Sequence, residues 1–271
     1  MPARIRAVAA STHPGPALAV TAITVGLALA GGLELWRVVL LGAAMLADQL
    51  SVGLSNDWID ADRDRAVGRA DKPVARGAVS KALARNLAFG FAVAALLLTI
   101  PLGPAALIVH AVVLASAWSY NALLKNSVLS PLPYVVSFGL LPALVTLCAA
   151  EPAWPSGWVI AAGALLGLAA HFANVLPDLD DDRATGIRGL GHRIGGRASA
   201  VVAFTALGLG SASLAAELGF TPLALAGLAV GFAITVWGLA LRGRMGRVLF
   251  RLVIAGALVD VVLLVVAAAT A

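Results

Sequence analysis

Nine apolar runs, each close to twenty residues long and separated by mostly short connectors, restrict this chain to one kind of fold. They cover roughly 15–33, 36–54, 84–101, 103–121, 131–149, 156–176, 199–217, 220–241 and 248–269. About 20 apolar residues are what an α-helix needs to cross the hydrocarbon core of a bilayer. The runs are continuous and rich in Leu and Ala, without the period-two alternation of a membrane β-barrel. With 61% hydrophobic and only 12% charged residues, they are not the core of a soluble protein. The longest polar stretch, 55–83, is too short for a separate soluble domain. The expectation is therefore a single all-α integral membrane domain over 1–271 with nine transmembrane helices. Arg4 and Arg6 ahead of an apolar run resemble a signal peptide, but eight further spans favour a retained first helix.

Charge sets the orientation. With a cytoplasmic N-terminus, the inside segments are 1–14, 55–83, 122–130, 177–198 and 242–247. These and the adjoining helix ends hold every Lys and Arg of the 19 in the chain except Arg37, as the positive-inside rule requires. The linkers on the other side (31–34, 101–104, 150–155 and 219–222) carry little besides turn residues. The protein is expected in the cell membrane with its polar face toward the cytoplasm. A pI near 10.1 follows from this topology. No basic stripe with interleaved aromatics points to nucleic acid. Cys148 is the only cysteine and lies in an apolar run, which excludes a disulfide framework and a thiolate metal site. The Ala/Gly/Val/Arg-rich composition points to a bacterial source.

Two acidic clusters interrupt this apolar pattern at the inner ends of two spans. The first is Asn56-Asp57-Trp58-Ile59-Asp60-Ala61-Asp62-Arg63-Asp64; the second runs from Asn174 to Asp182 and contains Asp178, Asp180, Asp181 and Asp182. Like charges 4 Å apart in a partly desolvated site repel by about 4 kcal/mol, so such density calls for cations. On a helix, Asn56, Asp60 and Asp64 share a face at i, i+4, i+8, with Asp57 three residues before Asp60. Asn174, Asp178 and Asp182 repeat the spacing, although Pro177 should interrupt the helix there. Oxygen donors of this kind suit Mg²⁺, which takes one or two carboxylates and completes its shell with substrate phosphates and water. A calcium loop starting at Asp178 fails, because its sixth position is Arg183 and its twelfth Gly189. Asp62 points elsewhere and is free to pair with Arg65 or Arg69.

The sequence resembles the UbiA superfamily of intramembrane prenyltransferases. Asn56-Asp57-x-x-Asp60-x-x-x-Asp64 is similar to that family's first aspartate-rich motif, and Asp178-x-x-x-Asp182 followed by Arg183-Ala184-Thr185-Gly186 to its second. The likeness extends through Asp71-Lys72-Pro73-Val74-Ala75-Arg76-Gly77, Tyr120-Asn121-Ala122-Leu123-Leu124-Lys125 and Leu190-Gly191-His192-Arg193-Ile194-Gly195. Lys72 stands where relatives more often carry Arg, which keeps the charge but loses bidentate geometry. The resemblance implies a helical bundle around a central cavity, Mg²⁺ as cofactor, and an isoprenoid diphosphate with its tail in the bilayer.

On that reading Asp57, Asp60, Asp64, Asp178 and Asp182 hold Mg²⁺ on the diphosphate, supported by Asn56 and Asn174. Arg63, Lys72, Arg76 and Lys125 are the candidate cationic donors, with Tyr120 beside them. Ionisation leaves an allylic cation in a water-poor cavity, to be captured by a small acceptor, aromatic or a quinone precursor. Following the two acidic faces into the membrane reaches Gln49 and His171. Polar groups at that depth tend to line a cavity, so both are candidates for the acceptor pocket. Asp48 and Asp260 are further buried acids without an assigned role, and His110 reads as packing. Alternatives stay open. A UbiA-type terpene cyclase would use the same ionisation without an acceptor; Trp58, Trp118, Tyr120, Tyr134, Phe138 and Phe172 could stabilise its cations. A glycerol-type lipid or sugar phosphate could be the acceptor, and a non-enzymatic transporter or scaffold is the remaining class. Oligomeric state is not legible.

Overall fold

The computed structural model describes the chain apart from Met1, Asp178, residues 180–185 and 241–245, and Ala271. Among the described residues every regular element is helical. The α-helices are α1 (Pro2–Ser11), α2 (Pro14–Ala30), α3 (Leu35–Ala66), α4 (Lys81–Thr99), α5 (Pro104–Ala122), α6 (Leu132–Leu147), α7 (Gly157–Val175), α8 (Leu190–Glu217), α9 (Pro222–Ala240) and α10 (Gly246–Thr270). Five stretches are long and apolar enough to cross a membrane: α3, Lys81–Leu102, α5, α7 and α8. The pair α1 and α2, bent by 61° at their junction, makes a sixth if counted as one broken span. Leu132–Leu147 and Pro222–Trp237 are apolar but shorter.

The longest helix positions the first acidic cluster. At 1.5 Å per residue, the 32 residues of α3 reach about 48 Å, while the hydrocarbon core is about 30 Å thick. Nothing between Leu54 and Ala66 breaks a helix, so α3 continues past its apolar run, and Asp57, Asp60 and Asp64 ride on its last turns. It stops at Val67, just before Gly68, whose φ of +70° turns the chain. Ser80 then caps α4 by accepting a hydrogen bond from the Leu83 N–H (3.2 Å). α4 packs back along α3.

Glycine decides how closely two other pairs of elements approach. At Gly53 a Cβ would lie 2.3 Å from the Thr12 carbonyl oxygen, so the corner between α1 and α2 rests directly on the α3 backbone. At Gly163 and Gly167 a Cβ would lie 2.4 Å from the Phe138 oxygen and 2.3 Å from the Tyr134 oxygen, so α7 is in backbone contact with α6. Three apolar clusters fill the rest. One lies among α2, α3, α5 and α6 around Leu41, Met45, Val109 and Leu144. A second joins α7, α8 and α10 through Phe172, Phe204, Leu207 and Val253. The third sits under the α3–α4 turn, around Leu54, Ala61, Val74 and Val79.

Candidate active site

The C-terminal end of α3 gathers charge of both signs into one buried network. Asp57, Asp60 and Asp64 are 2%, 6% and 4% exposed, and each is met by a cation. Lys72, from the turn after α3, lies 2.8 Å from Asp57 Oδ1 and donates to Asn56 Oδ1 at 3.1 Å. Lys125, from the turn after α5, pairs with Asp60 Oδ1. Arg63 Nη2 reaches Asp60 Oδ2 at 2.8 Å and Asp64 Oδ1 at 3.4 Å. Three carboxylates thus face three cations. The Asn56 amide donates to Asp60 Oδ2 and to Asn121 Oδ1, both at 3.3 Å. Asn121 is in turn fixed by donating to the Val52 carbonyl (3.0 Å) and Ser55 Oγ (2.8 Å). Burial holds the Lys125 ammonium below the ordinary lysine range, while the Asp60 carboxylate works in the opposite direction.

One atom in this network points to a ligand. Asp57 Oδ1 is contacted by Lys72 and also by His13 Nε2, at 2.9 Å. Asp57 Oδ2 is also buried and has no hydrogen-bond partner among the described residues. A buried carboxylate oxygen left bare beside two further carboxylates is the donor chemistry a hard cation requires. The residues therefore fit Mg²⁺. Among the described residues no three His, Cys, Asp or Glu side chains are gathered closely enough to hold a metal ion by themselves, and Asp178 and Asp182, expected to complete the set, lie outside the described residues.

A second cluster lies alongside, built from rings. Tyr120 on α5, Tyr134 and Phe138 on α6, and His171 and Phe172 on α7 are successive neighbours. Tyr120 and Tyr134 meet edge to face at 5.2 Å, and Tyr134 and His171 at 5.2 Å. Tyr134 and Phe138 are parallel at 6.3 Å. Tyr134 is hydrogen-bonded to Tyr120 and Asn174. Ser130 Oγ sits 3.2 Å from His171 Nε2 and accepts from the Leu190 N–H at 3.0 Å, while His171 Nδ1 is buried without a partner among the described residues. Gly163, Gly167 and His171 are spaced by four, so the stripe that brings α7 onto α6 ends at this imidazole.

The other expected residues stand apart. Arg76 is exposed and makes no contact with the carboxylates among the described residues. Gln49 is half-buried on α3 and makes no side-chain hydrogen bond among the described residues. Asp62 faces solvent with Lys81 (2.7 Å) and Arg65 (3.6 Å). Asp71, next to Lys72, is tied to Arg69, whose hydrogen bonds hold its carboxyl down at about 2. His110 is fully buried, with Nδ1 2.7 Å from Thr99 Oγ1. Two network members were not foreseen. Asn121 had a signal, as a polar residue one position from Tyr120 at a helix end. His13 had none, because its partner is 44 residues away.

A sequence model described as the UbiA prenyltransferase family matches residues 17–268. The chain belongs to that family. It is similar to a curated relative, the digeranylgeranylglyceryl phosphate synthase of Natronomonas pharaonis, at 31% identity over 215 residues, 74% of this chain and 73% of that one. A solved structure of a digeranylgeranylglyceryl phosphate synthase superposes with a TM-score of 0.75 at 12% identity, covering 99% of each chain. A UbiA homolog from Archaeoglobus fulgidus, solved with GPP and Mg²⁺, superposes with a TM-score of 0.70 at 12% identity, over 98% of this chain and 100% of that one. The shared fold and the family together make this chain a multi-pass membrane prenyltransferase that transfers isoprenoid groups.

Proposed function

We propose that this UbiA family member ionises an allylic prenyl diphosphate at the cytoplasmic end of α3 and delivers the prenyl cation to a small acceptor held by the ring cluster. The observation that carries the reading is the interleaving of three buried carboxylates with three cations, one carboxylate keeping an oxygen, Asp57 Oδ2, without a partner among the described residues. Asp57, Asp60 and Asp64, with Asp178 and Asp182 from the second motif, would hold Mg²⁺, which neutralises charge on the departing diphosphate. Arg63, Lys72 and Lys125 neutralise the acids in the free enzyme. They would turn toward the diphosphate oxygens once the carboxylates have metal to bind, so no cation needs to be brought from solvent. The allylic C–O bond breaks with its electron pair leaving on the diphosphate. A nucleophilic atom of the acceptor closes the new bond to the prenyl carbon and releases a proton. Tyr120, Tyr134 and His171 would flank that step and exclude water.

The whole of 1–271 serves this one site: nine spans with a cytoplasmic N-terminus enclose a central cavity, its mouth on the basic face. The rings favour an aromatic acceptor, which can pack against them. A second reading, transfer to the hydroxyl of a glyceryl phosphate lipid, is favoured by the Natronomonas relative. The purified protein with Mg²⁺ and labelled geranyl, farnesyl or geranylgeranyl diphosphate separates these readings. It would be assayed alone, with 4-hydroxybenzoate, and with geranylgeranylglyceryl phosphate. A prenylated aromatic supports the first reading, and an ether lipid supports the second. Cyclic hydrocarbon without acceptor would replace both with a cyclase. No diphosphate release from any donor would overturn the site assignment.

A further inference from the structure

We infer that His13 is a positioning residue for the metal site, built into it by the corner between α1 and α2. The inference rests on the reading of Asp57 as a metal ligand.

Three separate features of the chain converge on this histidine. Its backbone is left-handed, with φ 52° and ψ 62°, a conformation uncommon outside glycine, in which histidine is enriched together with asparagine and aspartate. The corner that holds it lies on α3 at Gly53, where any Cβ would overlap the Thr12 carbonyl. The imidazole then meets Asp57, one turn along α3 from Gly53, with Nε2 2.9 Å from Oδ1. A left-handed backbone, a glycine contact and a buried acceptor 44 residues away have one geometric outcome. Asp57 Oδ1 is secured from the side of the N-terminal segment.

What this does to Asp57 follows from its other contacts. Lys72 Nζ reaches the same Oδ1 at 2.8 Å and lies 3.1 Å from His13 Nε2. Both partners sit on one oxygen, which leaves Oδ2 buried and without a partner among the described residues. A carboxylate pinned through one oxygen presents the other in a fixed direction, and outer partners of this kind typically contribute 10–100-fold in metal affinity. Lys72 alone cannot hold this orientation when a diphosphate arrives, because the ammonium is attracted to the phosphate oxygens. The His13 ring is held at the α1–α2 corner by its short side chain and backbone, so it keeps Asp57 oriented while the long Lys72 side chain changes partner.

The test is Mn²⁺ binding followed by EPR on the purified full chain, with and without inorganic pyrophosphate, alongside a thermal melt. Four variants are compared: His13→Ala, His13→Gln, Gly53→Ala and the double variant H13A/G53A. His13→Ala should weaken Mn²⁺ binding about tenfold and raise the Mg²⁺ concentration for half-maximal activity in proportion. His13→Gln, whose amide can still donate to Oδ1, should recover most of the loss. Gly53→Ala should reproduce the loss by displacing the corner, and the double variant should be no worse than the singles together predict for one shared contact. Unchanged Mn²⁺ affinity in His13→Ala, while Asp57→Asn abolishes binding, overturns the role of His13 and leaves the metal site standing. If Asp57→Asn binds Mn²⁺ like the wild type, the metal reading falls and the inference with it.

Discussion

The charged corner at the end of α3 and the ring cluster between α5, α6 and α7 are both buried, adjacent and polar, yet they are held by different physics. In the corner every carboxylate is matched by a cation on a long, flexible side chain. Such pairs are strong in a dry site but can be exchanged, because a new anion competes for the same ammonium or guanidinium. In the ring cluster the positions are set by backbone contact. Gly163 and Gly167 place α7 against the carbonyls of Phe138 and Tyr134, and ring packing follows. Nothing there can change partners without separating two helices. The corner is built to trade partners with a charged substrate, while the cluster is a wall already in place before the substrate arrives.

If that contrast holds, losses should be steepest where a partner-exchanging charge is removed. Asp60 is the hub of the corner, touched by Asn56, Arg63 and Lys125. Asp60→Ala should cut diphosphate release about 10³-fold or more, at the level of losing a transition-state electrostatic contact together with a metal ligand. The melt should show folded protein. A variant retaining a tenth of wild-type release would break the assignment of the corner as the reacting end. Lys125→Met comes next, at about 10²-fold in kcat/KM. Arginine at that position should restore part of the loss, because the charge returns in a different shape.

For the ring cluster the contrast predicts damage to the fold before damage to the chemistry. Gly167→Ala puts a methyl group into the Tyr134 carbonyl and should cost about 1–3 kcal/mol of stability, read as a lower melting temperature in detergent. Gly53→Ala in the corner should lower the melt less, because the segment it displaces is a terminal helix with few packing partners. Equal melting shifts would mean that the two regions are built alike.

Much of this was legible before any coordinates, and for unequal reasons. Apolar runs announce helices by composition alone, and Asp57, Asp60 and Asp64 announce a shared face because helical spacing is local. The continuation of α3 to Ala66 was less visible, because a charged turn at a membrane boundary looks the same in sequence whether it is helix or loop. Lys72 and Lys125 could be chosen as cations but not matched to Asp57 and Asp60. That pairing depends on which connectors fold over the end of α3. His13 carried no local pattern at all, since its role exists only through a glycine contact between distant segments. Arg76, four residues after Lys72 in the same turn, shows the converse: equal in charge, it points to solvent.

The smallest expected effect is at His171, and it sharpens the contrast most. Ser130 Oγ already accepts a hydrogen bond from the Leu190 N–H, so its own proton is available to His171 Nε2. That arrangement favours the tautomer carrying its proton on Nδ1, the buried atom without a partner. An imidazole held in this way, with Tyr120 and Tyr134 as neighbours, offers one donor to an acceptor molecule and contacts none of the carboxylates among the described residues. His171→Ala should therefore raise the acceptor KM about tenfold, the worth of one buried hydrogen bond, while KM for the diphosphate and the Mg²⁺ requirement stay at wild-type values. Asparagine at 171, whose amide nitrogen falls near the Nδ1 position, should return most of the acceptor affinity. A His171→Ala variant impaired in donor ionisation without acceptor would mean that the imidazole belongs to the corner, and that the two regions act as one.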